Sequence, residues 1–360
     1  MTSRRGLLSA AAGLVFCGCG LPGAAHARTG TAARRPVTVR GKRIKTVDVH
    51  SHCLFHEATS LLGDRAASLT PNIRDAQEAY LVIEDRFKAM DAMAIDMEIL
   101  SVNPFWFGLD RDLAAKIVRI QNEKLAELCA AHPDRFAAFA SLTLQDPALA
   151  VQELETAVRK QGLKGAAIGD RVAGAEFSDP KFHPVWAKAE ELGAVLFIHP
   201  QGVPELDARL KGNGWLVNTV GNPLGTTIAL QHLIFEGTLD RFPGLKIVAA
   251  HGGGYLGSYA PRDDHACFVA PAFCDAGIKL KKQPTEYLKQ LYFDALVFTP
   301  EALRHLVAQV GASQVMLGSD EPYVWEQHPV DHVVGTDSLT DAQKSAILGG
   351  NAARVFGLKM

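Results

Sequence analysis

From residue 45 onward, short apolar or β-branched runs alternate with longer stretches whose hydrophobic positions recur at helical spacing. Eight of the short runs read as strands: Thr46 to His50, Met97 to Val102, Phe136 to Leu142, Gly165 to Gly169, Ala194 to His199, Ile247 to His251, Leu291 to Asp294 and Val315 to Ser319. Several are almost wholly apolar, which suits strands covered on both faces. Three intervening helices have legible starts, in which an oxygen-bearing cap precedes a proline: Asp146-Pro147 before Ala148 to Arg159, Asp179-Pro180 before Phe182 to Leu192, and Thr299-Pro300 before Glu301 to Val310. Repeated β-α units with right-handed crossovers predict an α/β fold, a (β/α)8 TIM barrel, over residues 45–360. An open doubly wound sheet would want a glycine-rich phosphate turn after its first strand, and Ser51-His52-Cys53 is not one. Insertions follow the carboxyl ends of strands one (Leu54 to Tyr80), five (Gln201 to Gly221) and six (Gly252 to Pro284), the face on which barrel enzymes build their sites.

The first 27 residues fall outside this pattern. Arg4-Arg5-Gly6-Leu7-Leu8 opens a short apolar stretch that ends in small residues at Ala25-His26-Ala27, the anatomy of a cleavable, twin-arginine-type export signal. Residues 28–44 then read as a linker. The expected location is periplasmic or secreted, without stable membrane insertion. Among 360 residues, 37 Lys+Arg against 39 Asp+Glu leave no excess charge for nucleic acid. Four cysteines remain beyond the signal, too few and too scattered for a disulfide scaffold, although Cys267 and Cys274 are close enough to pair in an oxidising compartment.

The chemistry gathers at strand ends. Val47-Asp48-Val49-His50-Ser51-His52 carries two histidines at i and i+2, a spacing that aims both rings at one face. Strand five ends in His199, strand six in His251 before Gly252-Gly253-Gly254, and strand eight runs into Ser319-Asp320. In a barrel these side chains converge on one mouth. Three neutral imidazoles and a carboxylate suit one divalent ion, zinc for preference, with an open coordination position.

These residues, with Asn351-Ala352-Ala353-Arg354-Val355-Phe356 near the C-terminus, resemble the amidohydrolase superfamily, in the branch typified by aminocarboxymuconate semialdehyde decarboxylase. The resemblance implies that His50, His52, His199 and Asp320 ligate the metal and that His251 is catalytic. It also implies that Arg262, reaching across a homodimer, binds a substrate carboxylate. Strand four ends Ala167-Ile168-Gly169-Asp170, without the bridging lysine of two-metal relatives, so one metal is expected. Asp170 itself reads as a solvated loop residue. Arg65 and Arg74 lie where the branch places a second carboxylate-binding arginine, in surroundings that do not match its pattern.

Asn103-Pro104-Phe105-Trp106-Phe107 offers aromatics to the mouth, with Trp106 as the candidate for stacking on a planar substrate and packing against the next helix as its bland alternative. Trp215 and Tyr323 carry the same ambiguity, Glu321 reads either as a support for a ligand histidine or as a residue facing water, and Asn351 reads as the cap of a last helix. The implied reaction is nonoxidative decarboxylation of a small unsaturated or aromatic acid. The same site would also serve a hydrolase of an amide, lactone, ester or activated C-C bond.

Overall fold

The computed structural model describes residues 34–69, 80–103, 105–323 and 325–359. The expected export signal and Arg74 lie outside the described residues. Eight parallel strands form the centre: β1 (Val47–His52), β2 (Met97–Ser101), β3 (Phe136–Ala138), β4 (Gly165–Ile168), β5 (Val195–Ile198), β6 (Lys246–Ala249), β7 (Leu291–Asp294) and β8 (Val315–Met316). β1 to β3 pair in one run and β4 to β8 in another. The runs are joined at both seams. Ala140 bridges Ala166, with Ala140 N donating to Gly165 O at 2.8 Å, while Val49 N donates to Leu317 O at 2.9 Å and Ser51 bridges Glu321. The sheet is therefore a closed barrel without free edges, as the alternating pattern predicts.

Helices α1 (Ile83–Ala92), α2 (Arg111–Ala131), α3 (Pro147–Arg159), α4 (His183–Leu192), α5 (Asn222–Phe235), α6 (Leu256–Val269) and α7 (Pro300–Val310) supply the outer layer. The anticipated caps form. The Asp146 carboxylate accepts from Leu149 N, Thr299 Oγ1 accepts from Ala302 N, and Asp179 accepts from Lys181 N in a 3-10 turn that leads into α4. Inward-facing Val47, Val49, Ile99, Phe139, Phe197, Val248 and Met316 fill the barrel, whereas a larger apolar layer lies between strands and helices. Alternation along each strand divides these two cores.

Four local expectations change. Residues 34–44 are no loose linker, because Thr38–Val39 and Lys42–Arg43 pair as a hairpin that buries Val37 and Val39. The segment after β6 contains the crossover helix α6, despite Pro261 within it. β8 is shorter than its apolar run, since Leu317 N turns away to Ile347 O. Asn351 caps no helix; it opens the segment Asn351–Phe356, and its Nδ2 donates to Ala312 O and Val315 O, tying down the start of β8. Among the described residues no helix is long and apolar enough to cross a membrane.

Candidate metal centre and active site

β1 runs two residues further than its apolar pattern suggests and carries both histidines into the barrel mouth. His50 Nε2 and His52 Nε2 stand 3.1 Å apart, at 3.0 and 2.9 Å from Asp320 Oδ1 respectively. His199 at the end of β5 completes the group: His50, His52, His199 and Asp320 are all buried, with one ligand atom from each lying within 4.8 Å of the others.

The hydrogen bonds behind the rings fix which nitrogens face inward. His50 Nδ1 donates to Asp294 Oδ2 at 2.7 Å. Ser101 Oγ donates to Ser51 O and so accepts from His52 Nδ1 at 2.8 Å. His199 Nδ1 lies between the Pro200 carbonyl at 3.2 Å and Asn103 Nδ2 at 3.3 Å. His50 Nε2 and His52 Nε2 therefore turn lone pairs toward Asp320, and His199 Nε2 and Asp320 Oδ1 have no hydrogen-bond partner. Buried acceptors crowded together without a donor are unfavourable unless a cation lies among them. The donor set fits one divalent ion, and the partners behind His50 and His52 hold those rings in the ligating tautomer.

Electrostatics agree for three of the four. Burial pushes His52 down to about 4, and burial with repulsion from His52, His50 and His251 holds His199 well below the usual imidazole range. Burial alone would raise Asp320, but the rings of His50, His251 and His52 keep it well below the usual carboxylate range. Burial also acts to lower His50, but there the Asp320 and Asp294 carboxylates prevail and push it up to about 10. Without a cation, a proton on His50 supplies the positive charge the group requires.

His251 follows β6 at the rim. Its Nε2 is 3.5 Å from Asp320 Oδ2, its Nδ1 has no partner, and its side chain keeps 17% of its surface exposed. The residue is left-handed, with φ 55°, as is Asp320 with φ 65°. Strained non-glycine backbone of this kind collects where function requires a particular side-chain direction. Gly254, two residues beyond Gly252, has φ +66°, and a Cβ there would lie 2.1 Å from Pro223 O. The glycine run thus both makes the turn and lets α5 and α6 approach.

A cavity of about 160 Å³ opens beside His251, lined also by Asn218, Thr219, Asn222, Pro223, Phe298 and Trp325. Trp215 stacks on Trp325 with ring centroids 5.6 Å apart, and Tyr323 lies 5.6 Å from the His52 ring. Two of the ambiguous aromatics thus stand at the mouth.

Trp106 does not. It is buried among Ala58, Leu62, Ala114, Ile117 and Val118, and its Nε1 donates to Gln121 Oε1 at 2.9 Å. Its apolar ring finds more surface to bury against α2 than over the polar mouth. Arg262 is exposed on α6 and lines a separate groove with Phe235, Cys267 and Cys274, not the His251 cavity of its own chain. Asp170 is buried rather than solvated, where Gln201 N and Arg171 Nη1 donate to it at 3.1 and 3.2 Å. Cys267 and Cys274 form a disulfide. The residue the sequence reading overlooked is Asp294, fully buried behind His50, which no motif distinguishes from an ordinary strand-end aspartate. Its place at the carboxyl end of β7 was the available signal.

A closed barrel whose mouth gathers three histidines, an aspartate and a fourth imidazole outside that cluster defines a metal-dependent barrel enzyme. The chain belongs to the amidohydrolase family, whose model matches residues 47–358. It is 32% identical over 277 residues to the 2-amino-3-carboxymuconate-6-semialdehyde decarboxylase of Dictyostelium discoideum, covering 76% of each chain. It is 31% identical over 317 residues to the gamma-resorcylate decarboxylase of Rhodococcus jostii (strain RHA1), covering 82% of this chain and 94% of that one. Among solved structures, the dihydroxybenzoic acid decarboxylase from Polaromonas sp. JS666, with bound manganese and the inhibitor 2-nitroresorcinol, superposes with TM-score 0.74 at 26% identity, covering 88% of this chain and 97% of that one.

Proposed function

We propose that this chain is a metal-dependent nonoxidative decarboxylase of a small aromatic or unsaturated carboxylic acid. The observation that carries the reading is the convergence of three buried imidazoles and one carboxylate oxygen beside His251. A divalent ion held by His50, His52, His199 and Asp320 would bind an oxygen-bearing substrate and draw electron density from it. The chain's own residues do the rest. His251, with an unpartnered Nδ1 and a partly open ring, delivers a proton to the carbon that bears the carboxylate. The C-C bond to the carboxylate then breaks, its electron pair restores the π-system, and CO₂ leaves. Solvent returns the proton to His251. Phe298 and Trp325 give a planar ring an apolar wall, while Asn218 and Asn222 offer amides to its polar substituents.

Three finer points belong to the same proposal. The ion is zinc, which three imidazoles suit; manganese, present in the Polaromonas neighbour, is its rival, and elemental analysis of protein purified without added metal decides between them. The working unit is a homodimer in which Arg262 of each chain clamps a carboxylate in its partner's site, a reading supported by its exposed position away from its own cavity. The protein is exported, which the Cys267–Cys274 disulfide supports and an Arg4→Lys, Arg5→Lys double variant tests: active precursor should stay in the cytoplasm.

The substrate class is tested by incubating metal-loaded protein with 2,6-dihydroxybenzoate, 5-carboxyvanillate, 6-methylsalicylate and a matched set of esters and lactones. CO₂ release from an acid supports the proposal; turnover of esters or lactones alone overturns it.

A further inference from the structure

The Asp294 carboxylate at the end of β7 takes four hydrogen bonds, two on each oxygen. Oδ2 accepts from His50 Nδ1 at 2.7 Å and from the His251 backbone N–H at 2.8 Å. Oδ1 accepts from the backbone N–H of Gly252 at 2.8 Å and of Leu296 at 3.1 Å. One buried anion thus grips a metal ligand with its left hand and the acid-base loop with its right. His251 and Gly252 have φ 55° and 63°, so two successive amides in a left-handed turn point at one carboxylate. That is how backbone nests hold anions, and here the anion is built into the chain. Charge-assisted bonds of this kind offset the resistance of a β-carbon-bearing residue to left-handed backbone. The space around the group is reserved for it: a Cβ on Gly318 would lie 2.8 Å from Asp294 Cβ and 3.1 Å from His50 Cβ.

We infer that Asp294 is a positioning residue that couples metal capture to the placement of His251. Through His50 it holds the tautomer that presents Nε2 to the ion; through the His251 and Gly252 amides it holds the bend that brings the His251 ring to Asp320. The inference rests on the proposed metal site but not on the choice of substrate. It accounts for the strained φ of His251 with Asp294 acting only through His50 and the loop amides.

Asp294→Asn is the discriminating change, because it keeps size and shape yet must turn an NH₂ toward two donors whichever way the amide lies. Measured by chelator competition, Mn²⁺ affinity should fall by about 10- to 100-fold, as loss of a partner behind a ligand usually causes. At saturating Mn²⁺ turnover of the active acid should remain about tenfold or more below wild type, with little change in KM, because His251 is still misplaced. A crystal structure of the Mn²⁺-loaded variant should show His251 out of the left-handed region.

Unchanged Mn²⁺ affinity overturns the inference, and so does full recovery of turnover at saturating Mn²⁺, which would leave Asp294 acting on His50 alone. If Asp294→Asn does not fold, Gly318→Ala displaces the same carboxylate without removing its charge and should lower both Mn²⁺ affinity and saturated turnover; loss of neither refutes the coupling. His199→Ala measured alongside separates the two levels of the account. Normal Mn²⁺ affinity in both variants means the ligand set is wrong, whereas normal affinity in Asp294→Asn alone sinks only the coupling.

Discussion

Replacing His251 by asparagine isolates the imidazole from everything else that position does. Asparagine is among the few residues that enter the left-handed region readily, so the φ of 55° and the N–H donated to Asp294 both survive. The metal should stay as well. His251 Nε2 lies 3.5 Å from Asp320 Oδ2, whereas His50 and His52 approach the other oxygen, Oδ1, so removing the ring takes nothing from the ligand cluster. What is lost is proton transfer, typically worth about 10² to 10⁴ in rate. That corresponds to about 3–5 kcal/mol in activation free energy. His251→Ala should lose the same catalysis and also stability, since a left-handed alanine costs about 1–2 kcal/mol. At roughly 2–4 °C per kcal/mol, its Tm should fall several degrees below that of the asparagine variant.

The assay pairs metal content by elemental analysis with kcat/KM on the active acid and a thermal melt. A His251→Asn protein with its full metal and rate within tenfold of wild type would assign the proton to another residue. A metal-depleted protein would make His251 a ligand.

His199→Ala should hold well below one metal per chain, because one of four ligands is gone, and full occupancy by elemental analysis would refute the ligand set. Trp106→Phe should destabilise by about 1–3 kcal/mol in a denaturant titration, since Gln121 Oε1 loses its buried donor, and should leave kcat/KM nearly unchanged; a large loss of kcat/KM would return Trp106 to the substrate site. Arg262→Lys should weaken turnover of carboxylated substrates, because an ammonium cannot reproduce two parallel guanidinium bonds. Mixing inactive Arg262→Ala with inactive His251→Asn chains should restore some activity if the site is shared, and subunit exchange seen by mass spectrometry without recovery would refute sharing.

Much of this was legible in the chain because the barrel writes itself as a one-dimensional repeat. Nearly continuous apolar strands, Asp-Pro and Thr-Pro helix starts and histidines at strand ends are all local patterns, and closure of the barrel brings His50, His199 and Asp320 together without further information. What escaped depends on direction rather than position. The pattern around Trp106 says that a large ring must be covered, but not whether α2 or a substrate covers it. Asp170 reads as a surface aspartate because Gln201, which donates to it beside the adjacent Arg171, comes from the loop after β5. Asp294 has no neighbouring signature, since His50 and His251, the two histidines it holds, lie 244 and 43 residues away. The stacking of Trp215 on Trp325 likewise joins the loops after β5 and β8, which only the fold makes adjacent.

The central claim, that His251 protonates a carbon as CO₂ departs from a metal-held acid, is tested most directly by following atoms into the product. The metal-loaded chain is run on its acid in D₂O and, separately, in H₂¹⁸O, and the organic product is weighed by mass spectrometry and mapped by NMR. Decarboxylation predicts one deuterium on the carbon that lost CO₂ and no ¹⁸O newly bonded to carbon in that product; ¹⁸O incorporated there from water, with no deuterium at that carbon, would make the site hydrolytic and contradict the account.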